Sequence, residues 1–283
     1  MAETRDWVEW RAADARAWIA VPRSSDDKYS RGVLGVRTGS DAFPGAAVLG
    51  VEAAIRTGLG MIRYLGPERP SALVLARRPE VVTVDGRVQA WLLGSGMSAI
   101  DRDPATTAAL GDAISQGVPT VLDAGALDFA PLDHGPRVIT PHYRELAGLL
   151  ANGEHPVTAE QIASNPGEWA IRAAEQFDVT VLLKGTVTHI ASPSGERLTV
   201  SNATAWLATA GTGDVLGGIL GALVATHSEK AMTDAGALAA LAATAAFVHG
   251  LAGERASAGG PLAALDVAEA VPAVIIELLA GSG

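Results

Sequence analysis

The chain contains no cysteine. Disulfides and thiolate metal sites are thereby excluded, and the composition fits a reducing, cytoplasmic setting. Lysine is scarce as well: Lys28, Lys184 and Lys230 stand against 18 arginines. With 31 acidic residues and a net charge of −10, nucleic acid is not an expected partner. No uninterrupted apolar run approaches the ~18 residues that span a bilayer, because Asp234 and then Gly and His residues break the Ala-rich C-terminal third, so no membrane association is expected. The first ten residues carry Glu3, Arg5, Asp6 and Glu9 without an apolar core, so no signal peptide is evident. Two phosphate-binding signatures are also missing. No Gly-x-x-x-x-Gly-Lys-Ser/Thr loop occurs, and no Gly-x-Gly-x-x-Gly opens a helix after the first strand, which argues against a P-loop NTPase and a Rossmann dehydrogenase.

What is present is a 283-residue chain, 48% apolar, long enough for a sizeable core. Trp7, Trp10, Ala17 and Trp18 predict a leader helix over about 5–20 that docks on the body. A strand at 33–37 leads through Thr38-Gly39-Ser40-Asp41 and Pro44 into a helix at about 46–56, stopped by Gly58-Leu59-Gly60. Strand-like segments follow at 61–65, 72–76 and 89–93. A helix at about 104–116 precedes strands at 119–122 and 137–140, and helices at 143–150 and 167–176 flank the way to a strand at 179–183. A hairpin pairs 187–191 with 197–201 around Ser192-Pro193-Ser194-Gly195. Helices at about 214–226, 231–250 and 263–279 complete the chain.

Strands alternating with helices predict a mainly parallel sheet covered on both faces. No linker or repeat divides the sequence, so residues 1–283 read as a single α/β domain. Ligands in such folds bind beyond the carboxyl ends of the strands. The polar or glycine-rich strand ends at 38–41, 94–96, 123–128, 140–142, 184–188 and 209–214 are therefore expected to share one edge.

The most informative stretch is Leu207-Ala208-Thr209-Ala210-Gly211-Thr212-Gly213-Asp214-Val215-Leu216-Gly217-Gly218. A small-residue loop runs straight into an apolar helix, whose first N–H groups lack intrahelical partners and suit an anion. Asp214 reads either as a plain N-cap or as a functional carboxylate, and the glycine-rich approach favours the second. Gly211-Thr212-Gly213-Asp214 resembles the anion hole and catalytic base of the ribokinase-like superfamily. The longer run resembles the ADP/ATP-dependent NAD(P)H-hydrate dehydratases within it.

The resemblance extends over about 28–255 and implies a three-layer α/β/α sandwich. It places Lys184-Gly185-Thr186-Val187-Thr188, together with Gly211, Thr212 and Gly213, around an adenine nucleotide. Read alone, Lys184 is as well explained as a solvated strand end. Thr140-Pro141-His142 with Glu145 resembles the family's Thr-Pro-His-x-x-Glu and puts His142 on the substrate side, although alone it reads as a helix-start polar group. Gly39-Ser40 with Gly45-Ala46-Ala47, and Gly94-Ser95-Gly96, resemble substrate segments that bring in Ala46, Ala47, Gly94 and Gly96. The second segment has Ser95 where the family has proline. Asp123 opens Asp123-Ala124-Gly125-Ala126-Leu127-Asp128, in which Gly125 replaces a family acid. Trp206 either stacks on a base or plugs the core, and the core reading is preferred; His249-Gly250 reads as helix packing.

The implied reaction is dehydration of the S form of hydrated NADH or NADPH. Asp214 serves as base, ADP or ATP as phosphoryl donor and Mg²⁺ as cofactor, with no dedicated metal residues. The 27 residues before Lys28 leave no room for the epimerase domain that some members carry. The family implies a homotetramer. A ribokinase-like kinase for a hydroxymethylpyrimidine or hydroxyethylthiazole type of alcohol, or a non-catalytic nucleotide-binding module, are the alternatives.

Overall fold

Runs such as Ala90-Trp91-Leu92-Leu93 have no polar face to show to water, and strands built from them must be covered on both sides. The computed structural model describes residues 6–151 and 156–281 and arranges such strands in one nine-stranded sheet. In chain order the first half comprises β1 (Val8–Glu9), α1 (Ala12–Arg16), β2 (Val33–Arg37), α2 (Gly45–Thr57), β3 (Met61–Tyr64), α3 (Glu68–Arg77), β4 (Ala90–Leu93), α4 (Pro104–Ser115), β5 (Thr120–Leu122), β6 (Arg137–Ile139) and α5 (Tyr143–Leu150). Then come α6 (Ala159–Ser164), α7 (Pro166–Phe177), β7 (Thr180–Leu183), β8 (Thr188–Ala191), β9 (Arg197–Val200), α8 (Thr212–Thr226), α9 (Ser228–Thr233), α10 (Ala237–Ser257) and α11 (Ala264–Ala280).

The sheet order is β1-β9-β8-β7-β6-β5-β4-β2-β3. Only β8 runs against the others, pairing antiparallel with β7 and β9 as the expected hairpin. Leu34, Leu92, Val121 and Leu182 point to one face, where α2, α8, α10 and α11 cover them. Trp91, Leu93, Leu122 and Leu183 point to the other, under α4 to α7. The result is the sheet covered on both faces that alternation predicted, and the three-layer sandwich that the resemblance implied.

Three expectations need correction. The segment 72–76 is not a strand but lies inside α3. Of its residues only Val74 is buried, while Leu73 and Leu75 are exposed, and Pro70 sits in the first turn where proline is tolerated. The leader is not one helix: Val8 and Glu9 pair in parallel with Leu198 and Thr199, and α1 has five residues. Arg5 of the expected helix lies outside the described residues. Its tryptophans find separate partners, Trp10 donating to Thr244 at 3.2 Å and Trp7 meeting the His189 ring edge-on at 4.9 Å. The helix expected at 231–250 is divided into α9 and α10 where Asp234 accepts from the Gly236 N–H at 3.0 Å, a local turn that competes with helix. One element went unforeseen. Helix α6 carries a reciprocal Thr158–Gln161 capping box, a signature visible in the sequence. By length and hydropathy α10 could cross a membrane, but 83% of its apolar window is buried within the fold, as befits a core helix.

Helix α2 meets two kinds of neighbour. Glu52 is fully buried and accepts from Arg56, Arg77 and Arg78, which ties α2 to α3. Burial pushes its pKa up, but the three guanidinium hydrogen bonds outweigh this and hold it at about 2. On the α8 side the two backbones approach so closely that a Cβ at Gly218 would be driven into the Gly50 carbonyl and lie 2.9 Å from Ala53 Cβ. Gly218→Ala is therefore expected to lower stability by about 1–3 kcal/mol through overpacking. Thermal unfolding checks this, and an unchanged Tm would show that the two helices separate without cost.

Candidate active site

The carboxyl ends of β2, β4, β5, β6 and β7 and the start of α8 meet at one edge of the sheet. Asp123 follows β5, is 3% exposed, and collects three donors. Ser95 Oγ donates at 2.9 Å, Thr140 Oγ1 at 2.7 Å and Lys184 Nζ at 3.1 Å. A buried carboxylate needs such partners, since desolvation otherwise disfavours its charged form. Lys184 lies 3.7 Å from Glu145 as well. Burial pulls the lysine's pKa down, but the charges of Asp123 and Glu145 outweigh it and raise it, so the ammonium stays charged.

The loop before α8 bends through Gly211, whose φ of +92° a side chain rarely adopts. Thr212 Oγ1 closes the loop by donating to the carbonyls of Leu207 and Thr209 at 2.7 and 2.9 Å. The first-turn N–H groups of Gly213 and Asp214 then point outward with no intrahelical acceptor. A Cβ at Gly213 would lie 3.7 Å from Lys184 Nζ, so loop and lysine form one concave, donor-rich surface. Asp214 stands at its margin. Burial raises its pKa, the Asp123 charge adds to the shift, Lys184 opposes it, and the result is about 7. The arrangement unites a poised base, a fixed cation and a helix N-terminus, which is what transfer of a phosphoryl group to an alcohol requires.

The other candidates surround this centre. His142 caps α5, where its backbone N–H donates to Glu145 at 2.7 Å and its Nδ1 accepts from the Glu145 N–H at 3.1 Å. That is the helix-start role in full, with half of the side chain still open to solvent. Lys184 reaches the same corner, its N–H donating to the Pro141 carbonyl at 2.9 Å. Gly94 and Gly96 both have positive φ. A Cβ at Gly96 would collide with Ala46, which explains the small residues at the start of α2. Ala46 and Ala47 are buried there. Gly185 lies under the hydroxyl of Tyr143, and Thr186, Val187 and Thr188 carry the chain from that corner into β8.

Several details were not legible in advance. Ser95 is the clearest, because it stands where the resembling family has proline and serves as a donor to Asp123. At Gly125, where the family has an acid, a Cβ would clash with the Met97 backbone, so an acid has no room. Trp206 is 44% exposed, which overturns its reading as a core plug; Leu207 packs inward against Gly253 instead. His249 does more than pack helices: its ring is buried beside the Thr212 backbone at the start of α8, and burial holds it neutral with a pKa of about 4. Beside the cluster, beyond β2 and β4, lies a cavity of about 590 Å³ bordered by Gly39, Ser40 and Met97.

Two predictions test the electrostatics. The acid limb of kcat/KM is expected at about pH 7, and Asp123→Asn should move it down by roughly half to one unit, since it removes a like charge. An unmoved limb would disconnect Asp214 from Asp123. The second concerns stability. The folded Asp214 carboxyl titrates at about 7 against an ordinary value of 3.8, so its charged form costs stability above pH 7 and costs nothing below 3.8. Asp214→Asn should accordingly raise Tm at pH 8, with the gain shrinking as pH falls through that window.

Comparison with known proteins places this geometry in context. A family profile described as NAD(P)H-hydrate dehydratase matches residues 34–272. The bifunctional NAD(P)H-hydrate repair enzyme of Mycobacterium leprae is 40% identical over 236 residues, 78% of this chain and 46% of the relative. The chain thus spans about half the length of the first curated relatives it matches. The ADP-dependent (S)-NAD(P)H-hydrate dehydratase of Xanthomonas campestris is 33% identical over 260 residues, covering 83% of this chain and 84% of that protein. Among solved structures, an ADP/ATP-dependent NAD(P)H-hydrate dehydratase from Bacillus subtilis, co-crystallised with ATP and Mg²⁺, superposes with a TM-score of 0.82 at 25% identity, covering 96% and 99% of the two chains.

Proposed function

The chain belongs to the NAD(P)H-hydrate dehydratase family, and we propose that it converts the S form of hydrated NADH or NADPH back to the reduced dinucleotide at the expense of ADP or ATP. The observation that carries this reading is Asp214, a carboxylate poised near neutrality at the start of a helix whose free N–H groups adjoin Lys184.

In this reading Asp214 accepts the proton of the C6 hydroxyl on the nicotinamide ring. The C6 oxygen attacks the terminal phosphorus of the nucleotide, and the bond to the remaining nucleotide breaks. The Gly211 to Gly213 turn, the α8 dipole and Lys184 hold the charge on the transferring group. The ring nitrogen's lone pair then expels phosphate from C6, and loss of a proton from C5 restores the dihydronicotinamide. Lys184, Gly185, Thr186, Val187 and Thr188 face the nucleotide, while Ala46, Ala47, Gly94, Gly96, Asp123 and His142 form the substrate side. Among the described residues no group of three metal-ligating side chains occurs, and Asp123 is already taken up by three donors. Mg²⁺ would fit here as an ion brought in with the nucleotide and would supply charge neutralisation, with Glu145, 3.7 Å from Lys184, as the next carboxylate after Asp123. The reading extends to a single catalytic domain acting as a cytoplasmic homotetramer.

A kinase for a vitamin-precursor alcohol would use the same base and loop, but the family match and Thr140-Pro141-His142 favour the dehydratase. Product identity separates them. With acid-hydrated NADH and Mg²⁺, recovery of the reduced-nicotinamide absorbance should require both protein and nucleotide, and parallel ADP and ATP arms identify the donor. Asp214→Ala should abolish recovery while nucleotide binding persists. Activity retained within about tenfold of the parent would remove Asp214 from the role of base.

A further inference from the structure

The 590 Å³ cavity beside the Asp214 cluster has a charged wall that the reaction steps above do not use. Two arginines face it, and they differ in kind. Arg102 is saturated, bonded to the Gly125 carbonyl and paired with Asp128 at 2.7 Å. Arg37, at the end of β2, is not. One terminal nitrogen donates to the Leu65 carbonyl at 2.8 Å, and its Nε is buried with no hydrogen-bond partner among the described residues. The guanidinium lies 5.8 Å from the Trp91 ring centroid, an apolar seat rather than an ionic one. Asp85 and Asp112 act on it only through space, and burial pushes its pKa down.

The acids in the same cavity do not supply the missing partner. Asp103 is engaged by the Thr106 N–H and hydroxyl as the cap of α4. Asp101 accepts from Ser98 at 2.9 Å. Asp41 sits on the exposed rim. At that rim the Phe43 ring is 62% exposed, an unusual display for a large apolar side chain. A half-buried cation short of an anion, with an open aromatic ring nearby, matches the two ends of a nucleotide: phosphate for the guanidinium and a base for the ring.

The cavity adjoins the catalytic cluster through one shared stretch of backbone. Gly39 lines it, and the Gly39 N–H donates to the Ser95 carbonyl at 2.7 Å. Ser95 in turn touches Asp123. In the dehydratase reading, a dinucleotide with its nicotinamide at Asp214 would reach this space across the Gly39 and Gly96 backbones.

We propose that Arg37 binds a phosphate group of the dinucleotide substrate in this cavity, with the adenine end of the molecule against Phe43. The identity of the ligand rests on the dehydratase reading above; the anion site itself rests on Arg37. Two phosphates are available, the diphosphate bridge and the 2′-phosphate that only the NADP form carries. Arg37→Met should raise KM by roughly tenfold or more, the scale of one lost charge-assisted contact, with kcat changed far less. A rise for hydrated NADPH alone assigns the 2′-phosphate, and a rise for both substrates assigns the diphosphate. Arg37→Lys should restore part of the loss.

A second measurement works without turnover. With the nucleotide site saturated by ADP, adenosine 2′,5′-bisphosphate and inorganic pyrophosphate are titrated calorimetrically into the parent protein and into folded Arg37→Met. Binding of either probe to the parent that weakens in the variant supports the anion site even if the parent fails to dehydrate hydrated NADH, which would sink the functional reading alone. The absence of probe binding to the parent, or equal KM values and equal binding in parent and variant, would overturn the inference.

Discussion

A single buried carboxylate holds this site together. Asp123 is placed by β5, and it is satisfied only if β4 delivers Ser95, β6 delivers Thr140 and β7 delivers Lys184 to the same point. Its charge therefore checks the register of four neighbouring parallel strands. A slip of one residue in any of them would turn a donor to the opposite face and leave a buried charge short of a partner. The same charge sets the chemistry nearby. It keeps Lys184 protonated and makes ionisation of Asp214 harder, so that one structural group fixes both the cation and the base.

Most of this could be read from the sequence because its causes are local or topological. Apolar runs of four residues alternating with helical segments leave few arrangements other than a covered parallel sheet, and that topology brings the strand ends to one edge. The hairpin at Ser192-Pro193-Ser194-Gly195 is a turn of known chemistry, and the reversal of β8 follows from it. Asp214 and Lys184 stood out by position and by scarcity.

What escaped reading depends on contacts between distant residues. Val74 in α3 is the one deeply buried apolar side chain of its segment, so a five-residue window could not separate strand from helix. Trp7 and Trp10 follow helical spacing, yet their partners His189 and Thr244 lie about 180 and 230 positions away, and those partners favour a strand edge over a helix. Trp206 stayed exposed because Leu207 occupies the interior beside Gly253. The roles of Ser95 and His249 depend on what faces them across the sheet and across α10, which no local pattern records.

The small residues of α2 and α8 join fold to chemistry. Gly218 permits contact with the Gly50 backbone, Ala46 fits beneath Gly96, and α8 is thereby seated with its first turn beside Lys184. Larger side chains would hold the helices farther apart, and the helix N-terminus would retreat from the lysine that completes the anion-binding surface. Such tight seating also explains how the fold tolerates a carboxylate whose ionisation is unfavourable. Asp214 is kept in a half-buried corner by backbone-to-backbone packing that it does not itself stabilise, and the energetic cost of its charge falls on interactions made elsewhere in α2 and α8. Glu52 on α2 is one such interaction, a buried carboxylate whose three arginines hold its pKa at about 2. One helix thus carries a carboxylate stabilised in its charged form, and it helps to seat the neighbouring helix whose carboxylate is poised to take up a proton.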